Sequence, residues 1–262
     1  MIEQDTQIIF NNRIARNTFL MGLMSHQIVT EAKPGQFVMI RVGSEKDPLL
    51  RRPFSICKTG PDGIFLILYR VVGHGTSIMS MSPKGKQISV LGPLGCGFHI
   101  PEDDCKSILV AGGVGIAPLI FLAHSMKSRD FIFMAGYSSA DEVIPLHMVG
   151  LDKTDVSIAT DDGTMGYKGT VTEILNSHVH KSVGKKRFIF TCGPLPMLKK
   201  VSSLAIARQI PCQVSLEATM ACGLGACQGC AVKASNKEGL AYFSVCRHGP
   251  VFHVDSLDWR HI

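Results

Sequence analysis

Leu109-Val-Ala-Gly112-Gly113-Val114-Gly115-Ile116-Ala117-Pro118 decides how the middle of this chain folds. Leu109 to Ala111 reads as the end of a strand with no polar face. The next glycines make a turn free of side chains, and Ile116-Ala117-Pro118 opens a helix. A strand that runs through a glycine turn into a helix presents backbone N–H groups to phosphate. The spacing departs from G-x-G-x-x-G because Pro118 stands where the third glycine would be. Gly112, Gly113, Gly115 and Pro118 are therefore candidates for a pyridine-nucleotide site on the strength of the chain beyond them, not of the turn alone.

Residues 119–216 continue as a run of βα units. Short continuous apolar stretches at Phe131–Ala135, Val156–Thr160, Phe188–Cys192 and Gln213–Leu216 are separated by helix-length segments. Continuous apolarity, unlike alternation, marks strands buried on both faces, which predicts a parallel sheet covered by helices. Ligands bind at the carboxyl ends of such strands. Thr191-Cys192-Gly193-Pro194 ends one of them, so Cys192 is either a buried core thiol or the side chain nearest a nicotinamide, with Gly193 beside it and Pro194 starting a helix. Asp161-Asp162-Gly163-Thr164 ends another and is either a turn or a nucleotide contact at Asp161. After the second strand comes Gly136-Tyr-Ser138-Ser139-Ala-Asp141-Glu142. Its carboxylates favour a free ribose 2′-hydroxyl, hence NAD over NADP, although the two serines also suit a phosphate.

Upstream the pattern changes. Phe37-Val-Met-Ile-Arg-Val, Ile64-Phe-Leu-Ile-Leu-Tyr-Arg-Val-Val and Gln87-Ile-Ser-Val-Leu are strand-like, and Pro34-Gly35, Gly60-Pro-Asp-Gly63 and Pro83-Lys-Gly85 punctuate them as turns. Residues 1–100 thus predict a small antiparallel barrel. Within it, Arg52-Pro53-Phe54-Ser55 offers a guanidinium for a pyrophosphate, a ring and a proline to pack on a cofactor, and a hydroxyl for a flavin edge. Tyr69-Arg70-Val71 ends a later strand, and Gly73-His74-Gly75-Thr76 begins a helix whose N–H groups suit phosphate. Together these residues describe a divided site for a flavin dinucleotide.

Downstream, Cys222, Cys227, Cys230 and Cys246 are spaced by four, two and fifteen residues. The C-x4-C-x2-C start is that of plant-type [2Fe–2S] ferredoxins. Gly223, Gly225, Ala226 and Gly229 leave the loop almost without bulk, so its backbone can wrap a cluster and aim N–H groups at sulfur. Structural zinc is the alternative for four thiolates, but zinc ribbons usually pair two C-x2-C knuckles and only one is present. Ala231–Ala234 and Ala241–Val245 predict a hairpin around Asn236-Lys-Glu-Gly239. So small a segment has a poor core, which metal ligation would stabilise.

Composition limits the rest. Forty-five per cent of residues are hydrophobic and 18% charged among 262, which suits globular packing over disorder. Nine cysteines without an apolar leader at Met1-Ile-Glu-Gln-Asp-Thr point to metal or redox chemistry in a cytoplasmic protein. The net charge of +6 is concentrated early: residues 1–100 hold 11 Lys+Arg against 6 Asp+Glu, residues 101–212 hold 12 against 11, and residues 213–262 hold 4 against 4. The one tight basic run, Lys185-Lys186-Arg187, reads as a solvated loop and not as a nucleic-acid stripe. An anionic small molecule bound by the first third fits better.

Arg52-Pro-Phe-Ser, Gly73-His-Gly-Thr, Gly112-Gly-Val-Gly-Ile-Ala-Pro and Cys192-Gly-Pro, in that order, resemble the ferredoxin–NADP reductase superfamily. The run Ser215-Leu-Glu-Ala-Thr-Met-Ala-Cys-Gly-Leu-Gly-Ala-Cys-Gln-Gly-Cys with Cys246-Arg-His-Gly-Pro-Val-Phe is similar, more narrowly, to electron-transfer subunits of class B dihydroorotate dehydrogenase. The resemblance implies a flavin-binding barrel (1–100), a Rossmann-like NAD-binding α/β domain (101–214) and a small C-terminal [2Fe–2S] domain (215–262). It also implies FAD and an FMN-containing catalytic partner, as a heterotetramer of two of each, with no membrane or nucleic acid. Electrons from dihydroorotate would pass through the cluster and FAD to NAD+. Two departures stand out: His248 replaces an expected acidic residue, and the gap before Cys246 is shorter than in plant ferredoxins. Rival assemblies with the same cofactors are cytoplasmic hydrogenases, sulfide dehydrogenases and NAD(P)H:ferredoxin transhydrogenases. A rival of another class is a non-catalytic, zinc-stabilised binding module.

Overall fold

The computed structural model describes residues 2–43, 47–101, 105–126, 130–151, 154–181, 186–235 and 239–262. Its first third is a closed antiparallel barrel built from β1 (Ile2–Ala15), β2 (Thr18–Met24), β3 (Phe37–Arg41), β4 (Arg52–Thr59), β5 (Ile64–Arg70) and β6 (Gln87–Leu94). The strands are ordered β1-β2-β5-β4-β3-β6 before closing back on β1. Apolar side chains such as Ile8, Met21, Val38, Ile56 and Phe65 fill the interior, so the barrel is a packed core and not a channel. Helix α1 (His26–Glu31) is capped by Ser25, whose hydroxyl accepts the Ile28 N–H at 3.1 Å. Helix α2 (His74–Ser80) begins after Gly73, and Thr76 Oγ1 accepts the backbone N–H groups of Val72 and Gly73 at 3.0 and 3.2 Å.

The second unit contains β7 (Lys106–Gly112), α3 (Ile116–Ser125), β8 (Phe131–Tyr137), β9 (Val156–Thr160), β10 (Tyr167–Lys168), α4 (Val171–Lys181), β11 (Arg187–Cys192), α5 (Leu195–Ala207) and β12 (Cys212–Ser215). Beyond it lie the hairpin β13 (Ala231–Lys233) and β14 (Tyr242–Ser244), the short helix α6 (Val245–His248) and β15 (Val251–His253). The large sheet runs β10-β9-β8-β7-β11-β12-β15. All its pairs are parallel except β12–β15. The C-terminal segment is therefore sewn into the large sheet as an antiparallel edge. It also touches the barrel side through a bridge between Cys96 and Pro250.

Helix α3 is buried from Ile116 to Ala123. An ordinary surface helix has a polar stripe; this one has none because one side packs on the sheet while the other meets Leu20, Cys57 and Leu68 of the barrel. It is the wedge between the two units. Among the described residues, no helix is long and apolar enough to cross a membrane. Two expectations fall partly outside the described residues: Asn236 to Glu238 of the hairpin turn, and Lys185 of the basic run. Arg187 of that run opens β11 and donates to the Val179 carbonyl at 3.0 Å, so this residue belongs to the sheet and not to a solvated loop.

Candidate functional site: a cleft between barrel and sheet leading to a cysteine loop

A cleft of about 520 Å³ opens where β4 and β5 face the start of α3 and the chain after β12. That is ample for a cofactor-sized ligand. Arg52, Pro53, Phe54 and Ser55 of β4 line one wall, joined by Tyr69, Arg70 and Thr76. Tyr69 is fixed before any ligand arrives: its ring stacks on Phe19 at 5.6 Å, and its hydroxyl donates to Asn11 Oδ1 at 2.8 Å. Burial pushes its phenol well above the ordinary value, so it stays neutral. Arg52 has a place to lie because residue 75 is glycine; a Cβ there would stand 2.7 Å from Arg52 Nε. Gly75 and Val71 act behind the wall and do not line it.

The opposite wall comes from Gly115 and Pro118 and from the segment Ser215–Met220. Sequence reasoning missed that segment as a binding element, together with Phe37, Leu68 and Pro250. For Ser215–Met220 the signal available was position: the segment connects the last parallel strand, β12, to the first cysteine. Glu217 lies in this wall, and loss of water raises its carboxyl above the usual range.

The glycine-rich turn divides its labour. A Cβ on Gly112 would meet Met197 and Pro194 at 2.7 Å, and one on Gly115 would strike the Cys192 carbonyl oxygen at 2.6 Å. These two glycines allow β7 and β11 to end against each other, a packing role. Gly113, with φ of 53°, has open space where its side chain would be. Gly193, with φ of 157°, backs onto the Gly112 backbone, where an added Cβ would stand 2.9 Å from its Cα and N. Cys192 itself is 2% exposed and does not line the cleft; burial drives its thiol far above the ordinary value, with the Glu217 charge adding to the rise. It stands directly behind Gly115.

The loop after β8 is not free for a ribose along its whole length. Glu142 is 8% exposed, and its Oε1 accepts from Arg16 Nη2 at 2.5 Å and from Arg70 Nη2 at 2.9 Å. Asp141 pairs with Arg16 Nη1 at 3.3 Å. Burial alone would raise the Glu142 carboxyl, but the Arg16 hydrogen bond and the Arg70 charge outweigh it and hold the group below its ordinary value. Asp161 is exposed beside this loop, and its N–H donates to the Tyr137 carbonyl at 3.1 Å.

Met220 ends the cleft wall, and Cys222 comes two residues later. Each of the four sulfurs of the loop accepts at least one backbone N–H. Cys222 Sγ takes Leu224 and Cys227 at 3.3 and 3.4 Å, and Cys227 Sγ takes Gly229 at 3.4 Å. Cys230 Sγ takes Cys246 at 3.4 Å, and Cys246 Sγ takes Gly225 at 3.0 Å. Donors of this kind stabilise thiolate. At Cys222 they overcome burial and lower the thiol to about 6, whereas burial and the neighbouring Cys230 raise Cys246. Gly223 and Gly225 hold φ of 72° and 79°, and side chains there would strike Met39 and Arg247. Gln228 adopts the same left-handed region at 58°.

The sulfurs stand in pairs, with Cys230 and Cys246 3.3 Å apart and Cys222 hydrogen-bonded with Cys227. Among the described residues, no three His, Cys, Asp or Glu side chains are gathered as around one ion. Two thiol pairs, each supplied with N–H donors, fit a two-iron cluster better than a tetrahedral zinc. His248 Nδ1 accepts the Ser244 N–H at 2.9 Å and so ties down the turn before Cys246.

Comparison with known proteins agrees with this geometry. Residues 217–258 match the iron–sulfur cluster binding domain of dihydroorotate dehydrogenase B. The electron transfer subunit of dihydroorotate dehydrogenase B (NAD(+)) from Desulforamulus reducens is 37% identical over 98% of both chains. The corresponding subunit from Caldanaerobacter subterraneus subsp. tengcongensis is 36% identical over 96% of both. Among solved structures, a chain from the NADH-dependent reduced ferredoxin-NADP oxidoreductase, described for flavin-based electron bifurcation, superposes with a TM-score of 0.85 at 30% identity, covering 97% of this chain and 90% of that one. Phthalate dioxygenase reductase shares the fold, with a TM-score of 0.65 at 17% identity over 93% and 94% of the two chains. With cleft, cysteine loop and full-length relatives in agreement, the chain belongs to the family of dihydroorotate dehydrogenase B (NAD(+)) electron transfer subunits.

Proposed function

We propose that this chain carries electrons from an FMN-containing dihydroorotate dehydrogenase catalytic subunit to NAD+ in pyrimidine biosynthesis. The observation that carries the reading is continuity: the segment Ser215–Met220 forms a wall of the cleft and leads within two residues to the first of four N–H-supplied thiols. When bound, FAD and a [2Fe–2S] cluster supply the exchange between electron pairs and single electrons. The protein's part is to bind, orient and exclude water. Arg52, Arg70 and Thr76 hold the dinucleotide's anionic part, while Pro53, Phe54, Ser55 and Tyr69 shape the ring site. Cys222, Cys227, Cys230 and Cys246 hold the cluster. Gly113, Asp161 and Gly193 face the pyridine nucleotide, and Cys192 backs the nicotinamide through Gly115. No side chain is required as a general acid or base.

In this assignment residues 1–100 carry FAD, 101–214 carry NAD and 215–262 carry the cluster, in a cytoplasmic heterotetramer with two copies of each subunit. Co-expression with the cognate catalytic subunit, then an assay of dihydroorotate-dependent NAD+ reduction and light scattering for mass, tests both statements. A complex that contains flavin and iron but fails to reduce NAD+ with dihydroorotate would end the reading. The 0.85 TM-score to the ferredoxin-linked enzyme supports a second one, electron exchange with ferredoxin and NADP, which the same preparation tests with reduced ferredoxin as donor.

A further inference from the structure

We infer that Glu142, carried by the nucleotide unit, is the positioning residue for Arg70 in the flavin cleft, so that the grip on FAD depends on the two units being docked. This rests on the flavin reading of the cleft. Arg70 belongs to the barrel, at the end of β5, and lines the cleft. A long guanidinium side chain at a cleft mouth samples many rotamers, and an anion must order it before pairing. Here the ordering is done by the other unit: Arg70 Nη2 donates to Glu142 Oε1 at 2.9 Å. Among the described residues, one of the five N–H donors of the fork is used, which leaves the others for an anion in the cleft.

Glu142 is itself held by two further donors, and its loop by a third bond. The Arg16 guanidinium reaches the same oxygen at 2.5 Å, the Ser138 N–H donates to the carboxylate, and the Arg16 backbone N–H donates to the Asp141 carbonyl at 2.8 Å. Arg16 also cancels the charge with which Glu142 would oppose an incoming phosphate. Two guanidiniums from the barrel and two carboxylates from the nucleotide unit thus form one neutral cluster at the seam. Only the Glu142 carboxylate is buried, at 8% exposure; Arg16, Arg70 and Asp141 keep 46%, 40% and 53% of theirs, so the cluster fixes geometry more than it adds stability.

The test is a double-mutant cycle on the full-length flavoprotein, read as the FAD dissociation constant from flavin fluorescence, with circular dichroism as a check on folding. Glu142→Gln and Arg70→Met each weaken FAD binding about tenfold, the worth of one oriented charge-assisted bond. The double variant binds no more than about twofold more weakly than Arg70→Met, because Glu142 acts only through Arg70. If Glu142→Gln is misfolded, the cycle is run with Glu142→Asp, which keeps the charge and shortens the reach. Wild-type FAD affinity in the folded Glu142 variant, or additive losses approaching a hundredfold in the double variant, overturns the inference. A wild-type chain that holds no FAD overturns the flavin reading and this inference with it.

Discussion

Replacing Gly115 by alanine separates backbone conformation from space. The residue has φ of −62°, which alanine adopts freely, and alanine is the better helix former by about 0.5–1 kcal/mol. Conformation therefore favours the substitution. Space opposes it: the new Cβ would stand 2.6 Å from the Cys192 carbonyl oxygen, 2.7 Å from its carbon and 2.7 Å from Gly193 Cα. All three are backbone atoms, pinned because Cys192 pairs with Ala111 on one side and Ser215 on the other. An ordinary contact of about 3.5 Å requires the ends of β7 and β11 to part by roughly 0.9 Å. Overpacking of this kind costs about 1–3 kcal/mol. For a chain of this size that is a fall in Tm of about 2–12 °C. The shift also moves Cys192 and Gly193 relative to the cleft, and a displacement near 1 Å lowers kcat/KM for NADH by about 10- to 100-fold. Calorimetry of the holoprotein and NADH oxidation by an artificial dye measure the two effects. Gly113→Ala is the control: its φ of 53° strains an alanine, but nothing stands in the way and β11 stays put. A Gly115→Ala protein that melts with the wild type and keeps its kcat/KM would refute the packing role assigned to this glycine.

Cys227→Ser should abolish dihydroorotate-dependent NAD+ reduction by the reconstituted complex while leaving dye-linked NADH oxidation above about half its wild-type rate, since the dye bypasses the cluster; loss of both activities in stopped-assay measurements would contradict this division. Cys57, Cys192 and Cys212 are buried, and burial raises their thiols, Cys57 to about 12. Iodoacetamide at pH 8 should leave all three unmodified in the native protein and label them after denaturation, as read by mass spectrometry. The Glu142 carboxyl lies below its ordinary value of 4.5, so its stabilisation is full above that pH and is lost as pH falls through the depressed folded value. Melting curves between pH 7 and pH 3.5 should therefore show a shallower acid limb in Glu142→Gln than in wild type.

The parts of the fold legible in the sequence were those written in local pattern. Lys106–Gly112 and its glycine turn were readable because a strand buried on both faces is apolar without interruption, and the four cysteines because ligand spacing is itself local. The barrel strands β3 to β6 showed through their turns. β1 did not: over fourteen residues it carries Glu3, Asp5, Gln7 and Asn12, which meet water, and Gln4 and Asn11, half-buried and bonded to Ser25 and Tyr69. β15 was hidden for another reason, since three residues become a strand only when β12 offers an edge. Glu142 shows the same limit within the site. As a carboxylate after the second parallel strand it suggested a ribose contact, but its partners Arg16 and Arg70 lie 126 and 72 residues away. Pairing across such distances is decided by topology, and a single sequence carries no local trace of it.

The edge strand β15 has a consequence for how the protein is made. Between Ser215, where β12 ends, and Val251, where its cover begins, the ribosome must add the entire cysteine loop. Until then the nascent chain displays an unpaired edge of the kind that recruits other chains. A message truncated before Val251 leaves that edge uncovered and should yield aggregates in preference to a merely inactive subunit.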